Sequence, residues 1–163
     1  MSKSKVKNIM KSKNAVLIFD VDGVLAAYEF GKRNHNACSD EEWQKMFEDG
    51  SVYKNARPIK TIKKWLKKYS NTDRVFVCTK SYTEAETEDK VRFITENYPI
   101  KTENIFAVKT DEEKLDVLKK IHTDIFPDLK EKYIVMIDDT ISVLSNIQEN
   151  SNYSTVHISS FIK

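Results

Sequence analysis

Ala15-Val16-Leu17-Ile18-Phe19-Asp20-Val21-Asp22-Gly23-Val24-Leu25 is the stretch on which the fold turns. Its uninterrupted apolar lead-in predicts a buried central strand, the kind that a parallel sheet covered on both faces requires. Two carboxylates follow at i and i+2, then a glycine. Two ionised carboxylates about 6 to 7 Å apart along a strand are too costly for a dry interior. The pair therefore belongs at the strand's open carboxyl end, where ligands bind in open α/β sheets.

Working outward, Val75-Phe76-Val77-Cys78 reads as a second buried strand, ending at Thr79-Lys80-Ser81. Ile105-Phe106-Ala107-Val108 is a third. Tyr133 to Ile137 is a fourth, ending in Asp138-Asp139, and Tyr153 to Ile158 is an edge strand. Helical periodicity covers 40–48, 59–69, 83–98, 111–121 and the segment through Ile141 and Ile147. Pro58 suits the first position of the second of these helices. His122 to Lys132 reads as an irregular connection. Alternation of strands and helices predicts a three-layer α/β/α, Rossmann-like parallel sheet of about five strands. A small helical insert, about 26–57, follows the first strand. It includes a polar loop from Gly31 to Ser39 and a short helix over 40–48, with Ser39 or Asp40 as its cap.

The 163 residues suit one domain, over 15–163, and the net charge of +2 gives no electrostatic case for nucleic acid or a membrane surface. Five lysines in the first thirteen residues, without an acid, predict a flexible basic tail over 1–14. The apolar run that follows is too short for a signal peptide, and no stretch is long enough to span a bilayer. Cys38 lies in a polar stretch and Cys78 in an apolar one, so no disulfide framework is expected and a reducing cytoplasm is the default location. The lysines of 59–69 read as a solvated helix face. His35, His122 and His157 are scattered and read as structural or surface groups.

Right-handed crossovers bring the strand ends into one crevice. That crevice collects Asp20, Asp22, Thr79, Asp138 and Asp139, and such a set of hard oxygens calls for Mg²⁺. Lys114, in the second turn of the helix over 111–121, supplies further positive charge. A carboxylate beside Mg²⁺ and lysine is a nucleophile suited to a phosphoryl group, which gives an aspartyl-phosphate. Thr79 would then hydrogen-bond a phosphoryl oxygen, and Lys114 would neutralise developing charge. Asp22 is placed to protonate the leaving alcohol and then to activate water. Lys80 and Ser81 are further candidates for substrate contact. Tyr28, Phe30 and Trp43 are candidates for the entrance, under a lid made by the 40–48 helix.

The order Asp20-Val21-Asp22-Gly23, then Thr79, Lys114 and Asp138-Asp139, resembles the four motifs of the haloacid dehalogenase (HAD) superfamily of phosphohydrolases. The resemblance spans Ala15 to Ile158. It implies Asp20 as nucleophile and Asp22 as general acid/base. It implies a metal held by the Asp20 carboxylate, the Asp22 backbone carbonyl and Asp138, with Asp139 as a further ligand or a group behind the ligands. It also implies a phosphatase or phosphotransferase rather than a dehalogenase, because the second acid is present. Asp-Gly-Val-Leu-Ala and Ile-Asp-Asp are similar to the 5'(3')-deoxyribonucleotidases, although the short interval between Leu25 and Pro58 departs from their sizeable helical cap. The partner implied is a phosphorylated substrate at an open site, which another subunit could cover. Two other classes compete: a phosphoaccepting receiver-like signalling domain, and a catalytically idle phosphate-binding module. The order of the motifs speaks against the first, and the full set of catalytic groups against the second.

Overall fold

The computed structural model describes residues 8–28, 39–49, 52–69 and 71–161. Its main sheet has five parallel strands: β1 (Val16–Phe19), β4 (Val75–Lys80), β5 (Ile105–Val108), β6 (Ile134–Asp138) and β7 (Ser154–His157). Their spatial order is β5-β4-β1-β6-β7. β1 is central, with Phe19 in register with Val77 on one side and Ile137 on the other. The chain moves outward from β1 through β4 to β5, then returns to the other side for β6 and β7. That reversal places a crevice at the carboxyl end of β1, where open α/β sheets take ligands.

Side chains alternate across the sheet and divide the core in two. Leu17, Phe19, Val77 and Ile137 face one side. There they pack with Ile62 and Leu66 of α3 (Lys60–Tyr69) and with Phe93 and Ile94 of α4 (Glu84–Asn97). Val16, Ile18, Phe76 and Met136 face the other. They meet Leu115 and Leu118 of α5 (Glu113–Lys120) and Val143 and Ile147 of α6 (Ile141–Asn150). This is the three-layer architecture expected. The lysines of α3 that flank this apolar stripe are exposed, among them Lys60, Lys63 and Lys67.

Several boundaries differ from expectation. Pro58 does not open a helix. It pairs with Ala26 in a two-stranded antiparallel ribbon, β2 (Ala26–Ala27) with β3 (Arg57–Pro58), and the helix begins at Lys60. Proline is tolerated there because so short a pairing leaves its missing N–H without consequence. The ribbon closes the neck of the insert. Tyr98 fastens it to α4: its hydroxyl donates to the Leu25 carbonyl at 2.6 Å and accepts from the Ile59 N–H at 2.8 Å. β4 and β6 run on to Lys80 and Asp138, because Thr79 and Asp138 still pair with Ala107 and His157. Lys114 lies in the first turn of its helix, not the second. A single π-helical turn over Ile121–Ile125 extends that helix into the segment expected to be irregular. There the His122 ring meets the Tyr153 hydroxyl at 3.2 Å and the Leu129 carbonyl at 2.7 Å.

The basic segment is anchored before residue 14, where a flexible tail was expected. Residues 8–10 are helical and Met10 is buried in the same core cluster as Ile62 and Leu66 of α3, because its apolar side chain is removed from water there. In the insert, α1 (Asp40–Glu48) begins as expected, with Ser39 and Glu42 forming a capping box: the Glu42 N–H donates to Ser39 Oγ at 3.2 Å and the Ser39 N–H to Glu42 Oε2 at 3.0 Å. A second short helix, α2 (Val52–Asn55), follows it. The loop from Gly31 to residue 38, with Phe30, His35 and Cys38, lies outside the described residues.

Candidate active site

The turn after β1 is built by its own backbone. The N–H groups of Leu25 and Ala26 both donate to the Val21 carbonyl, and the Gly23 N–H donates to the Ala26 carbonyl. Gly23 takes φ +73°, a conformation that side chains other than glycine's rarely adopt. This turn leaves Asp20 at the sheet and Asp22 above it, facing opposite sides.

Asp20 faces α5. Lys114 Nζ lies 3.3 Å from Asp20 Oδ1, 2.9 Å from Asp138 Oδ2 and 3.3 Å from Asp111 Oδ1. Three carboxylates around one buried ammonium leave a surplus of negative charge. Burial, opposed by Lys114 and aided by Asp138 and Asp22, raises the Asp20 carboxyl to about 7. Burial works against the charge on Lys114, but Asp20 and Asp138 outweigh it and raise its pKa. Asp138 Oδ1 accepts the Thr140 N–H at 2.8 Å, which fixes the carboxylate at the end of β6. Asp139 reaches the surface, but the inner part of its carboxyl is partly desolvated, and this together with the Asp138 charge raises its pKa. The Asp139 carbonyl lies 3.0 Å from His157 Nε2, so that histidine braces the loop after β6.

Asp20, Asp138 and Asp139 each bring one carboxylate oxygen within 4.8 Å of the others. Asp20 Oδ1 is buried and lacks a hydrogen-bond partner, its contact with Lys114 being an ion pair only. A cluster of hard oxygens with one acceptor unsatisfied suits a divalent cation such as Mg²⁺.

Asp22 faces α4 and the insert. Its Oδ1 accepts from the hydroxyls of Tyr28 and Tyr53, the latter at 2.7 Å. Its Oδ2 pairs with Lys90 Nζ at 2.8 Å. Lys90 also pairs with Glu86 Oε1 at 2.7 Å and donates to Thr79 Oγ1 at 3.3 Å and to the Lys80 carbonyl. Burial works against its charge, but Asp22 and Glu86 more than offset this and raise its pKa. Burial and the Asp22 charge also push both tyrosine hydroxyls upward, so they serve as donors.

Lys114 thus brings Asp20 and Asp138 together on one side of the turn, and Lys90 brings Asp22 and Thr79 together on the other. Lys80 borders the Lys114 cluster through Asp111, whose Oδ2 lies 3.1 Å from its ammonium and whose Oδ1 faces Lys114. The Ser81 hydroxyl is buried without a partner. Tyr28 reaches Asp22 itself, and Trp43 packs edge-on against Tyr28 with ring centroids 5.2 Å apart. Burial raises the Cys78 thiol to about 12, which makes it an inert core group.

Sequence reasoning missed Lys90, Glu86 and Tyr53. Glu86, Lys90, Phe93 and Ile94 are the buried residues of α4, at i, i+4, i+7 and i+8. The signal was positional alone: these two charges continue the stripe of Phe93 and Ile94 toward the helix N-terminus, while their chemistry matches that of the exposed charges beside them. Tyr53 carried no such signal, because nothing in its local pattern marks α2 as part of the site.

The structure of DsGPDH of Dunaliella salina shares the fold, with a TM-score of 0.56 and 15% identity over 96% of this chain. The chain spans 25% of that protein's length. The HAD domain of effector protein Lem4 from Legionella pneumophila aligns over 88% of this chain and 84% of its own, at 14% identity and a TM-score of 0.43. No curated protein matches the chain significantly. The architecture and motif order are those of the HAD superfamily, as the sequence led us to expect. The family model for NLI interacting factor-like phosphatases matches residues 15–163, almost all of the chain, and the protein belongs to that family.

Proposed function

We propose that the protein is a Mg²⁺-dependent phosphomonoester hydrolase that works through an aspartyl-phosphate on Asp20. The observation that carries this reading is the pair of lysine-centred clusters at the ends of β1, β4 and β6. In them, Lys114 binds Asp20 and Asp138 while Asp22 and Thr79 share Lys90. Asp20 attacks phosphorus and the bond to the leaving oxygen breaks. A protonated Asp22 gives its proton to that oxygen and is left as the carboxylate that Lys90, Tyr28 and Tyr53 hold in the structure. In the second step Asp22 takes a proton from water, whose oxygen attacks the phosphorus and releases Asp20 and inorganic phosphate. Thr79 and Lys114 hold the phosphoryl oxygens as charge builds on them. Asp20, the Asp22 carbonyl, Asp138 and Asp139 would hold Mg²⁺, which neutralises phosphoryl charge when bound.

The substrate class is a phosphate monoester, nucleotides included, free or exposed on a larger molecule. Lys80 is a further substrate contact in this reading. We place the protein in the cytoplasm as one domain over 15–163, with a second subunit as a candidate cover for the site. Among the described residues, no helix is long and apolar enough to cross a membrane.

The test is hydrolysis of 4-nitrophenyl phosphate with Mg²⁺ and with chelator. Metal-dependent turnover that Asp20→Asn abolishes is the expected result. A rate that survives Asp20→Asn, or no metal-dependent turnover at all, would overturn the reading.

A further inference from the structure

Lys90 is 1% exposed, and with Glu86 it is buried on a helix whose Glu84, Glu88, Arg92 and Glu96 face water. A buried ion pair is weak evidence of a stabilising role, since desolvation of both charges offsets their attraction. Its partners say more. An ammonium has three protons to donate. Four acceptors surround this one: Asp22 Oδ2, Glu86 Oε1, Thr79 Oγ1 and the Lys80 carbonyl. Two of these, Asp22 and Thr79, are groups assigned above to the reaction, and they come from the turn after β1 and from β4. Glu86 is itself fixed, its Oε2 accepting the Tyr82 N–H at 2.8 Å.

Lysine donates and never accepts. Thr79 Oγ1 therefore acts as acceptor toward Lys90, and the Thr79 proton is left for a phosphoryl oxygen. Asp22 likewise has Oδ2 tied to Lys90 and Oδ1 to two tyrosines, so its carboxylate has one orientation.

We propose that Lys90, anchored by Glu86, is a positioning residue that aims the Asp22 carboxylate and the Thr79 hydroxyl at the reacting phosphoryl group. This rests on the aspartyl-phosphate reading above. Lys90 touches neither substrate nor phosphorus; it acts through Asp22 and Thr79.

The two half-reactions separate this role from a structural one. 4-Nitrophenolate leaves without a proton, so forming the phosphoenzyme from its ester needs Asp22 little. Releasing phosphate needs Asp22 to activate water. General acid–base catalysis is worth about 10²- to 10⁴-fold. The experiment is rapid-mix kinetics with 4-nitrophenyl phosphate, with acid-quench trapping of phosphoenzyme. It compares wild type, Asp22→Asn, Lys90→Met and the double variant Lys90→Met/Glu86→Gln. The double variant removes both buried charges together and keeps the test alive if Lys90→Met alone does not fold. The expected result is a retained burst of 4-nitrophenolate, steady-state turnover lower by about 10- to 100-fold, and accumulated phosphoenzyme, as in Asp22→Asn. If both steps slow equally in the Lys90 variants, or neither does, while Asp22→Asn shows the burst, the Lys90 proposal is overturned and the reaction scheme stands. If wild type forms no phosphoenzyme, or Asp22→Asn shows no burst, the scheme fails first and the Lys90 proposal falls with it.

Discussion

Asp139 occupies the space that a side chain on Gly23 would need: a Cβ there would lie 2.3 Å from Asp139 Oδ2. The turn after β1 therefore meets the loop after β6 through the Asp139 carboxylate, and a larger residue at Gly23 would have to displace it. The Gly23 φ of +73° alone costs another residue about 1–2 kcal/mol. Gly23→Ala adds the clash and pushes the Asp139 carboxylate away from Asp20 and Asp138. We expect Gly23→Ala to lower the melting temperature and to weaken the thermal stabilisation by Mg²⁺. Gly23→Ala/Asp139→Ala relieves the clash and leaves only the backbone strain. Calorimetric melts of the four proteins in the cycle give the coupling directly; additive effects would show that the contact does not matter.

Asp20 makes the metal-free fold sensitive to pH. Its folded pKa of about 7 stands above the ordinary 3.8. Between those values the folded state keeps a proton that the unfolded chain has released. Stability contributed by this group is therefore present at acid pH and falls as pH rises through the window. Asp20→Asn removes the titration. In chelator, the variant's gain in melting temperature over wild type should be larger at pH 8 than at pH 5. An equal gain at both pH values would show that the carboxyl is not shifted.

Tyr53 brings the insert into contact with the reaction. Its hydroxyl donates to Asp22 Oδ1, and its ring packs against Phe93 with centroids 5.5 Å apart. Tyr53→Phe keeps the ring contact and removes one hydrogen bond to a carboxylate, an interaction worth about 1.5–3 kcal/mol. Tyr28 still holds the same oxygen. We expect kcat for 4-nitrophenyl phosphate to fall by about tenfold with KM little changed. A change confined to KM would instead assign Tyr53 to substrate binding.

Tyr98 tests the neck of the insert rather than the chemistry. Tyr98→Phe leaves the Leu25 carbonyl and the Ile59 N–H without their shared hydroxyl. Buried groups left unsatisfied cost about 1–3 kcal/mol each. Urea unfolding should show a loss of that order, with a rate per folded molecule close to wild type. Full stability would mean that the neck relaxes to let water in.

Strand ends were the part of the site most legible in the chain. A run such as Val16–Phe19 or Val135–Ile137 can only be a buried strand, and a carboxylate directly after it must lie at the open end. Asp20, Asp22, Thr79, Asp138 and Asp139 announce themselves this way, with Lys114 close behind. Lys90 and Glu86 did not, because α4 reads as Glu-Ala-Glu-Thr-Glu-Asp-Lys, and any one of these charges looks like a solvated one. Which of them is buried depends on the rotation at which Phe93 and Ile94 seat the helix on the sheet. Pro58 was misleading for a related reason: its local preference suits a helix start, but pairing with Ala26 across the insert outweighs it.

The sequence by itself determined the sheet, its central strand and the carboxylates at its rim, because burial and charge leave such a pattern one arrangement. Only the tertiary structure decided how those carboxylates are held. Asp20 falls to Lys114 on one face and Asp22 to Lys90 and two tyrosines on the other. That division rests on contacts between Asp22 and residues up to 68 positions away in the chain, which no local pattern records.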